Sequence, residues 1–129
     1  MKVLLADDDP LCRTLVKVSL KGIEGTDVKE AEDGDQALRL LRGSSFDLVI
    51  LDWQMPGKDG LEIVKSLRAM GSRVPVLMVT AEAAKDRVVE AIRAGVSDYL
   101  IKPFETTALW AKLTKFQKPG KGQPILPAG

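Results

Sequence analysis

Five residues with ion-binding or reactive side chains come directly after short apolar runs that we predict to be β-strands. They are Asp7, Asp8, Asp52, Thr80 and Lys102. In an open α/β sheet, ligands bind beyond the carboxyl ends of the strands. If the first and third strands are neighbours, these carboxylates, the hydroxyl and the ammonium therefore converge on a single crevice.

Such a set of groups suits a hard metal ion and a phosphoryl group. Clustered carboxylates repel one another, so each resists ionisation unless a cation neutralises the group. An all-oxygen donor set selects a hard ion, and we expect Mg²⁺. A lysine and a threonine hydroxyl suit an anion with several oxygens, and a carboxylate can itself be the nucleophile, giving an aspartyl phosphate.

The composition excludes several other kinds of chemistry. The chain of 129 residues contains no histidine, which excludes Ser-His-Asp and Cys-His catalysis, imidazole metal sites and phosphohistidine carriage within this chain. The single cysteine, Cys12, excludes an intramolecular disulfide and a cysteine-rich zinc site, and it suits a reducing compartment. We expect Cys12 to be a small apolar core residue.

Charge and apolar patterning argue against a nucleic-acid or membrane partner. The 19 Lys and Arg residues nearly balance the 18 Asp and Glu residues, and aromatic residues make up only 5% of the chain. Such a chain offers neither a strong field for polyanions nor a base-stacking surface. The N-terminus does not resemble a signal peptide, and no apolar run approaches the roughly 20 residues of a transmembrane helix, so we expect a cytoplasmic protein.

Five short apolar runs alternate with five segments of helical period. The predicted strands are Val3–Ala6, Val28–Ala31, Leu48–Leu51, Val74–Val79 and Tyr99–Ile101. Continuous apolar strands, rather than alternating ones, indicate a sheet that is covered on both faces. A (βα) unit repeated five times therefore predicts an α/β fold with one doubly wound parallel sheet and helices on both faces.

Each predicted helix carries an apolar stripe. The stripes are Leu11, Leu15 and Val18; Ala37, Leu38 and Leu41; Leu61, Val64 and Leu67; Val88, Val89 and Ile92; and Leu109, Leu113 and Phe116. Asp9 and Pro10 are typical of a helix start, as the N-cap and the first helical residue. The second, third and fourth stripes end at Gly43, Gly71 and Gly95, which we expect to be left-handed caps.

We predict one domain over residues 1–117, followed by a segment of another kind at residues 118–129. From Lys118 onward there are three prolines and three glycines in twelve residues. This composition is typical of a linker or a tail rather than of a sixth βα unit.

Four segments resemble the receiver domain of two-component response regulators. They are Val3–Asp9, Asp47–Gly60, Val76–Ala81 and Asp98–Phe104. Each segment spans the end of a predicted strand, and together they extend the resemblance over about residues 2–117. The resemblance implies a five-stranded sheet of order 2-1-3-4-5, one of the two common doubly wound orders.

The resemblance also implies a role for each residue of the crevice. The roles are the phosphoacceptor Asp52; the Mg²⁺ ligands Asp8, Asp52 and the main-chain carbonyl of Gln54, with Asp7 acting through water; and the phosphoryl-binding groups of Thr80, Ala81 (backbone N–H) and Lys102. Trp53 points away from Asp52 by strand alternation, and we expect it at the rim of the pocket.

A conformational switch is a further implication of the resemblance. Thr80 is expected to move toward the phosphoryl group, and Tyr99 is expected to turn inward into the space that it leaves. This change would reshape the surface formed by residues 85–116. The peptide bond between Lys102 and Pro103 corresponds to one that is cis in the family.

The implied partners follow from the implied reaction. The phosphoryl group would come from the phosphohistidine of a sensor histidine kinase or a histidine phosphotransfer protein. The surface of residues 85–116 would contact a downstream protein or an output domain of the same chain, and a homodimer stays open. Such a domain assists its own phosphorylation and dephosphorylation but is not otherwise an enzyme.

Two alternatives stay open at this point. The chain could be the receiver fragment of a larger regulator whose output domain, DNA-binding or enzymatic, follows residue 129. It could also be an Mg²⁺-dependent phosphatase that uses the same aspartate as its nucleophile. Phosphatases of that kind place a second acid two residues after the nucleophile, and here that position holds Gln54.

Overall fold

The computed structural model describes residues 1–117, in which five strands alternate with five helices. The strands are β1 (Lys2–Ala6), β2 (Asp27–Ala31), β3 (Leu48–Leu51), β4 (Val76–Thr80) and β5 (Asp98–Ile101). The helices are α1 (Pro10–Leu20), α2 (Gly34–Gly43), α3 (Gly60–Ala69), α4 (Lys85–Ala94) and α5 (Thr106–Thr114). The tail predicted at residues 118–129 lies outside the described residues, so the boundary at residue 117 stays a prediction.

The strands form one parallel sheet in the order β2-β1-β3-β4-β5, which confirms the predicted topology. The register pairs Ala6 with Leu51 and Thr80 with Ile101, so the carboxyl ends of the strands lie at one edge of the sheet. β4 begins two residues later than predicted, at Val76, because Pro75 has no N–H to donate to the ladder. β4 also ends one residue later than predicted, with Thr80 as its last residue.

Two apolar layers cover the sheet, one on each face, as predicted. Along β1, Leu4 packs in the layer formed with α2, α3 and α4, whereas Leu5 packs in the layer formed with α1 and α5. This alternation follows from the side-chain period of a strand. β3 and β4 are buried along their whole length, as expected for central strands covered on both sides.

The apolar stripe predicted for α1 is wrong. Leu11, Leu15 and Val18 are 66%, 41% and 61% exposed. The buried residues of the helix are Cys12, Val16 and Leu20. Both faces of α1 carry apolar residues at helical spacing, so the period alone could not identify the face that packs on the sheet. The Asp9 N-cap and Pro10 fix the start of the helix as predicted, and Cys12 is a core residue as predicted.

The stripe predicted for α4 is correct at only one residue. Val88 is half-buried, but Val89 and Ile92 are 39% and 48% exposed. Ala91, which is fully buried, makes the close contact with the core instead. A small residue marks the packed face here, whereas the larger apolar residues lie toward solvent.

Two of the three predicted glycine caps are confirmed. Gly71 and Gly95 follow α3 and α4 with φ angles of 83° and 116°, in the left-handed region that glycine adopts without strain. Gly43 is not a left-handed cap. It is the last residue of α2, and the extended residue Ser44 ends that helix.

No helix in residues 1–117 has the length and apolar character that are needed to cross a lipid bilayer.

Gly34 and Gly43, at the two ends of α2, provide a test of the packing near the carboxyl edge of the sheet. A Cβ atom at Gly34 would lie 1.7 Å from the carbonyl oxygen of Lys58, in the loop that follows β3. A Cβ atom at Gly43 would have nothing within 4 Å. We expect Gly34→Ala to lower the free energy of unfolding by about 1–3 kcal/mol because backbone must move.

The Gly43→Ala variant is the control for this prediction. Alanine at that helical position restricts the unfolded chain without a steric clash, so we expect a change between zero and a gain of about 1 kcal/mol. Urea unfolding followed by circular dichroism measures both variants. Equal stabilities of the two variants would contradict the packing that we describe around Gly34.

Candidate functional site

The buried polar side chains in the described part of the chain lie together at the carboxyl edge of the sheet. They are Asp7, Asp52 and Thr80, with exposures of 2%, 7% and 1%. Each comes from the end of a different central strand, and burying such groups is costly unless each one has a partner. The fold therefore places three of the five predicted crevice residues in one desolvated cluster.

Lys102 connects the two buried carboxylates. Its Nζ atom lies 2.8 Å from Asp7 Oδ2 and 2.9 Å from Asp52 Oδ2, and its side chain is 18% exposed. Burial alone would lower the pKa of this ammonium, but hydrogen bonds to Asp7 and Asp52 outweigh burial and raise the pKa above its ordinary value. The Lys102–Pro103 peptide bond is cis, as expected.

The remaining oxygens of the two carboxylates are held by backbone donors. Asp9 N donates to Asp7 Oδ1 at 2.9 Å, and Gln54 N donates to Asp52 Oδ1 at 3.2 Å. These contacts fix both carboxylates at the mouth of the crevice, because each is a short-range bond to the residue two positions later. Gln54 therefore lies beside Asp52 through its backbone N–H, and the ligand role of its main-chain carbonyl stays a prediction.

The acidic residues are close enough to hold one metal ion. Carboxylate oxygens of Asp7, Asp8 and Asp52 lie within 4.8 Å of one another. Asp8 is exposed, so the site is open to water on one side. The ligand atoms that the three residues offer to a metal ion are all carboxylate oxygens. This arrangement fits Mg²⁺, which keeps several waters and takes few protein carboxylates.

Backbone hydrogen bonds continue past the strands and hold the site residues in register. Asp52 N donates to Ala6 O at 2.9 Å, and Lys102 N donates to Thr80 O at 2.8 Å. The Arg13 side chain donates to Asp7 O at 2.7 Å and to Glu30 Oε1 at 3.0 Å. Sequence reasoning missed Arg13, although its position one turn after the Asp9 N-cap places it back over the end of β1.

Cys12 lies beside the cluster but is not a reactive group. Burial and, to a smaller extent, the neighbouring Asp7 carboxylate together raise the pKa of its thiol to about 12, against the lowering effect of Lys102. A neutral thiol is a weak nucleophile, so Cys12 acts as an apolar residue under the site.

Thr80 and Tyr99 are linked through the loop that follows β4. Thr80 Oγ1 accepts a hydrogen bond from Glu82 N at 3.3 Å, and Tyr99 donates its hydroxyl to Glu82 O at 2.7 Å. The Tyr99 ring is half-buried and packs against the core, and burial raises its pKa to about 12, with smaller effects of the Glu82 and Asp52 charges. Ala81, which lies between Thr80 and Glu82 in the chain, is exposed.

A cavity of about 590 Å³ opens beside the acidic cluster. Its lining includes Asp8, Gln54, Glu82 and Arg87, together with Trp53. Trp53 is 6% exposed and belongs to the core, so it lines the rim as predicted while most of its ring is packed. A larger groove of about 860 Å³ lies between α3 and α4 and contains none of the predicted site residues, so volume does not identify the site.

The sequence of the chain is similar to known signalling proteins. Residues 3–114 match the family described as response regulator receiver domain. The chain is 42% identical to chemotaxis protein CheY-3 of Vibrio cholerae serotype O1, over 89% of this chain and 90% of that protein. It is 41% identical to chemotaxis protein CheY of Pseudomonas aeruginosa, over 89% and 94% of the two chains.

Solved structures show the same fold. The chemotaxis response regulator CheY4 of Vibrio cholerae superimposes with a TM-score of 0.81 and 33% identity, over 90% of this chain and 98% of that chain. The receiver domain of the Francisella response regulator 1452 gives a TM-score of 0.82 with 33% identity, over 89% and 94% of the two chains.

The Lys102 bridge predicts how stability depends on the charge at the site. We expect Lys102→Met to lower the free energy of unfolding by about 2–3 kcal/mol near pH 7, because two buried carboxylates then lose their cation. Added Mg²⁺ should restore most of this loss. Urea unfolding with and without Mg²⁺ measures both effects. The control is Lys17→Met, which removes an exposed ion pair with Glu30 and should cost less than about 1 kcal/mol.

The pH dependence of this difference has a defined direction. Because the pKa of Lys102 is raised, its stabilisation is fully present below 10.5, the ordinary lysine value, and is lost only as the pH rises through the higher folded value. The difference between wild type and Lys102→Met should therefore stay constant from about pH 7 to 10 and shrink above. If the stability difference between wild type and Lys102→Met disappeared already at neutral pH, the bridge would be contradicted.

Proposed function

The chain belongs to the response regulator receiver domain family, and we propose that it is a switch controlled by phosphorylation of Asp52. Members of this family have a general role in two-component signalling. The observation that carries the proposal for this chain is the bridge from Lys102 to Asp7 and Asp52, in the edge cluster that Thr80 and Asp8 complete. Two carboxylates buried side by side are costly to desolvate and add little stability, which supports a functional role for the pair.

In the proposed reaction, an oxygen of the Asp52 carboxylate attacks the phosphorus of a phosphohistidine. The P–N bond breaks, and its electron pair stays on the imidazole nitrogen of the partner. Mg²⁺ held by Asp8, Asp52 and the Gln54 carbonyl, with Asp7 through water, would neutralise the charge on the phosphoryl oxygens. Lys102 moves its ammonium from the Asp52 carboxylate to the transferred phosphoryl group. The reaction needs no histidine in this chain, because the partner supplies the phosphohistidine.

The switch in this proposal is the loop between β4 and α4. Thr80 exchanges its contact with Glu82 N for a phosphoryl oxygen, and the backbone N–H of Ala81 joins it. Tyr99 already holds Glu82 O and packs against the core, so a movement of this loop is transmitted to the ring directly. The surface of residues 85–116 then changes and is read by a partner.

The partners and the setting follow the proposed reaction. The donor is a sensor histidine kinase or a histidine phosphotransfer protein, and the surface of residues 85–116 contacts a downstream protein, an output domain or a second copy. The proposal places the protein in the cytoplasm, with neither nucleic acid nor membrane as a direct partner. Residues 1–117 form the receiver domain and residues 118–129 a tail or linker. The domain assists its own phosphorylation and dephosphorylation but does not turn over an external substrate. A phosphatase of the alternative kind would need an acid two residues after Asp52, and that position holds Gln54.

Incubation with acetyl phosphate and Mg²⁺ tests the phosphoacceptor. We expect intact-mass measurement to show one added phosphoryl group per chain in wild type and none in Asp52→Asn. The control is Asp27→Asn, which changes an exposed carboxylate at the start of β2 and should be phosphorylated like wild type. No added mass in wild type, or the same addition in Asp52→Asn, would contradict the proposal.

The role of the Thr80 hydroxyl is tested separately from phosphorylation. In wild type we expect phosphorylation to change the NMR amide shifts of residues 85–116. In Thr80→Ala the protein still accepts the phosphoryl group, but these shift changes should fall severalfold because the hydroxyl that draws the loop is missing. Thr80→Ser keeps the hydroxyl and should restore them. Full shift changes in Thr80→Ala would show that the signal takes another route.

A further inference from the structure

Arg87 is the basic residue in the lining of the cavity beside Asp52. It lies in the first turn of α4, and the same lining contains four acids: Asp8, Asp59, Glu62 and Glu82. Any anionic ligand that enters this cavity is repelled by those carboxylates. Arg87 is therefore the positive charge that the cavity lining supplies, in addition to the ammonium of Lys102 in the buried cluster.

The guanidinium of Arg87 has donors that the protein does not use. It lies 5.6 Å from the centroid of the Trp53 ring and forms two long ion pairs, 3.9 Å to Glu82 and 3.5 Å to Glu90. Its side chain is 51% exposed, and within the described residues it makes no side-chain hydrogen bond. Arg68, by contrast, donates three hydrogen bonds to backbone carbonyls and has a structural role.

Arg87 lines the cavity toward which the departing group of a phosphoryl donor would point. In an in-line transfer, the departing group lies opposite to the attacking oxygen. Asp52 attacks from the buried side, so the departing group of a small donor faces the cavity that Arg87 lines with Trp53. A cation–π contact with the Trp53 ring holds the Arg87 guanidinium at the cavity. The N–H groups of Arg87 that donate no hydrogen bond remain available to the oxygen atoms of a ligand.

We propose that Arg87 binds the departing carboxylate of a small acyl-phosphate donor; this inference rests on the proposed phosphorylation of Asp52. In that reaction the Asp52 oxygen forms a bond to phosphorus, and the P–O bond to the acyl group breaks. The electron pair leaves on the carboxylate, and no proton is needed. Negative charge develops on the departing oxygen in the transition state, where a nearby guanidinium stabilises it.

Phosphoramidate separates this role from a structural one. Its P–N bond breaks and its departing group is neutral ammonia, so Arg87 has no anion to stabilise on that side. Both donors carry the same phosphoryl group to the same aspartate. A change in the ratio of the two rates therefore reports on the departing group and not on the state of the site.

The experiment measures phosphorylation rates with acetyl phosphate and phosphoramidate by intact mass, at low donor concentration with Mg²⁺. For Arg87→Ala we expect the ratio of the acetyl phosphate rate to the phosphoramidate rate to fall roughly fivefold, the size expected of one partly exposed charge contact. High salt should reduce the difference from wild type. The control is Arg39→Ala, an exposed arginine on α2 outside the cavity lining, which should leave the ratio unchanged.

The outcomes separate the inference from its premise. An unchanged ratio in Arg87→Ala, including equal falls with both donors, would overturn the inference and assign Arg87 to holding the loop after β4. Phosphorylation of wild type by neither donor would instead overturn the proposed function itself. A lower ratio in Arg87→Ala that Arg87→Lys partly restores would support a role of the positive charge.

Discussion

Two like charges buried side by side are the constraint on which the structure depends. Asp7 and Asp52 are both almost fully removed from water, and each would oppose the ionisation of the other without a cation. The ammonium of Lys102 meets this requirement through hydrogen bonds of 2.8 and 2.9 Å. A metal ion or a phosphoryl group changes the same charge balance. The chemistry of the site and the stability of the fold are therefore two aspects of one electrostatic arrangement.

The sheet is what makes this arrangement geometrically possible. β1 and β3 are neighbours although they are not consecutive in the chain, and their parallel register ends both strands at the same level. Apolar layers on both faces exclude water from the strands themselves, so the first polar groups appear where the strands stop. Hydrogen bonds such as Asp52 N to Ala6 O extend the ladder by one step and orient the acids.

The sequence predicted the features that depend on residue type at strand ends, and it failed where packing direction decides. The polar residues Asp7, Asp52 and Lys102 could be predicted at the carboxyl edge of the sheet because each one follows an apolar run, whereas the strand order that brings them together came from the resemblance to receiver domains. The buried face of α1 could not be predicted, because Leu15 and Val16 are both apolar. Which of them faces the sheet is decided by the direction in which the chain leaves β1. Arg87 was missed because its position over Trp53 depends on how α4 packs, which no local pattern records.

The contacts of Lys102 also set an order of events for a growing chain. Lys102 is separated from Asp7 by 95 residues and from Asp52 by 50. During synthesis, both carboxylates leave the ribosome long before the residue that neutralises them. Until β5 and Lys102 are added, the acid pair at the ends of β1 and β3 lacks the ammonium that bridges it in the complete fold. A nascent chain that stops before Lys102 therefore cannot form the bridged site, even if β1 and β3 are already paired.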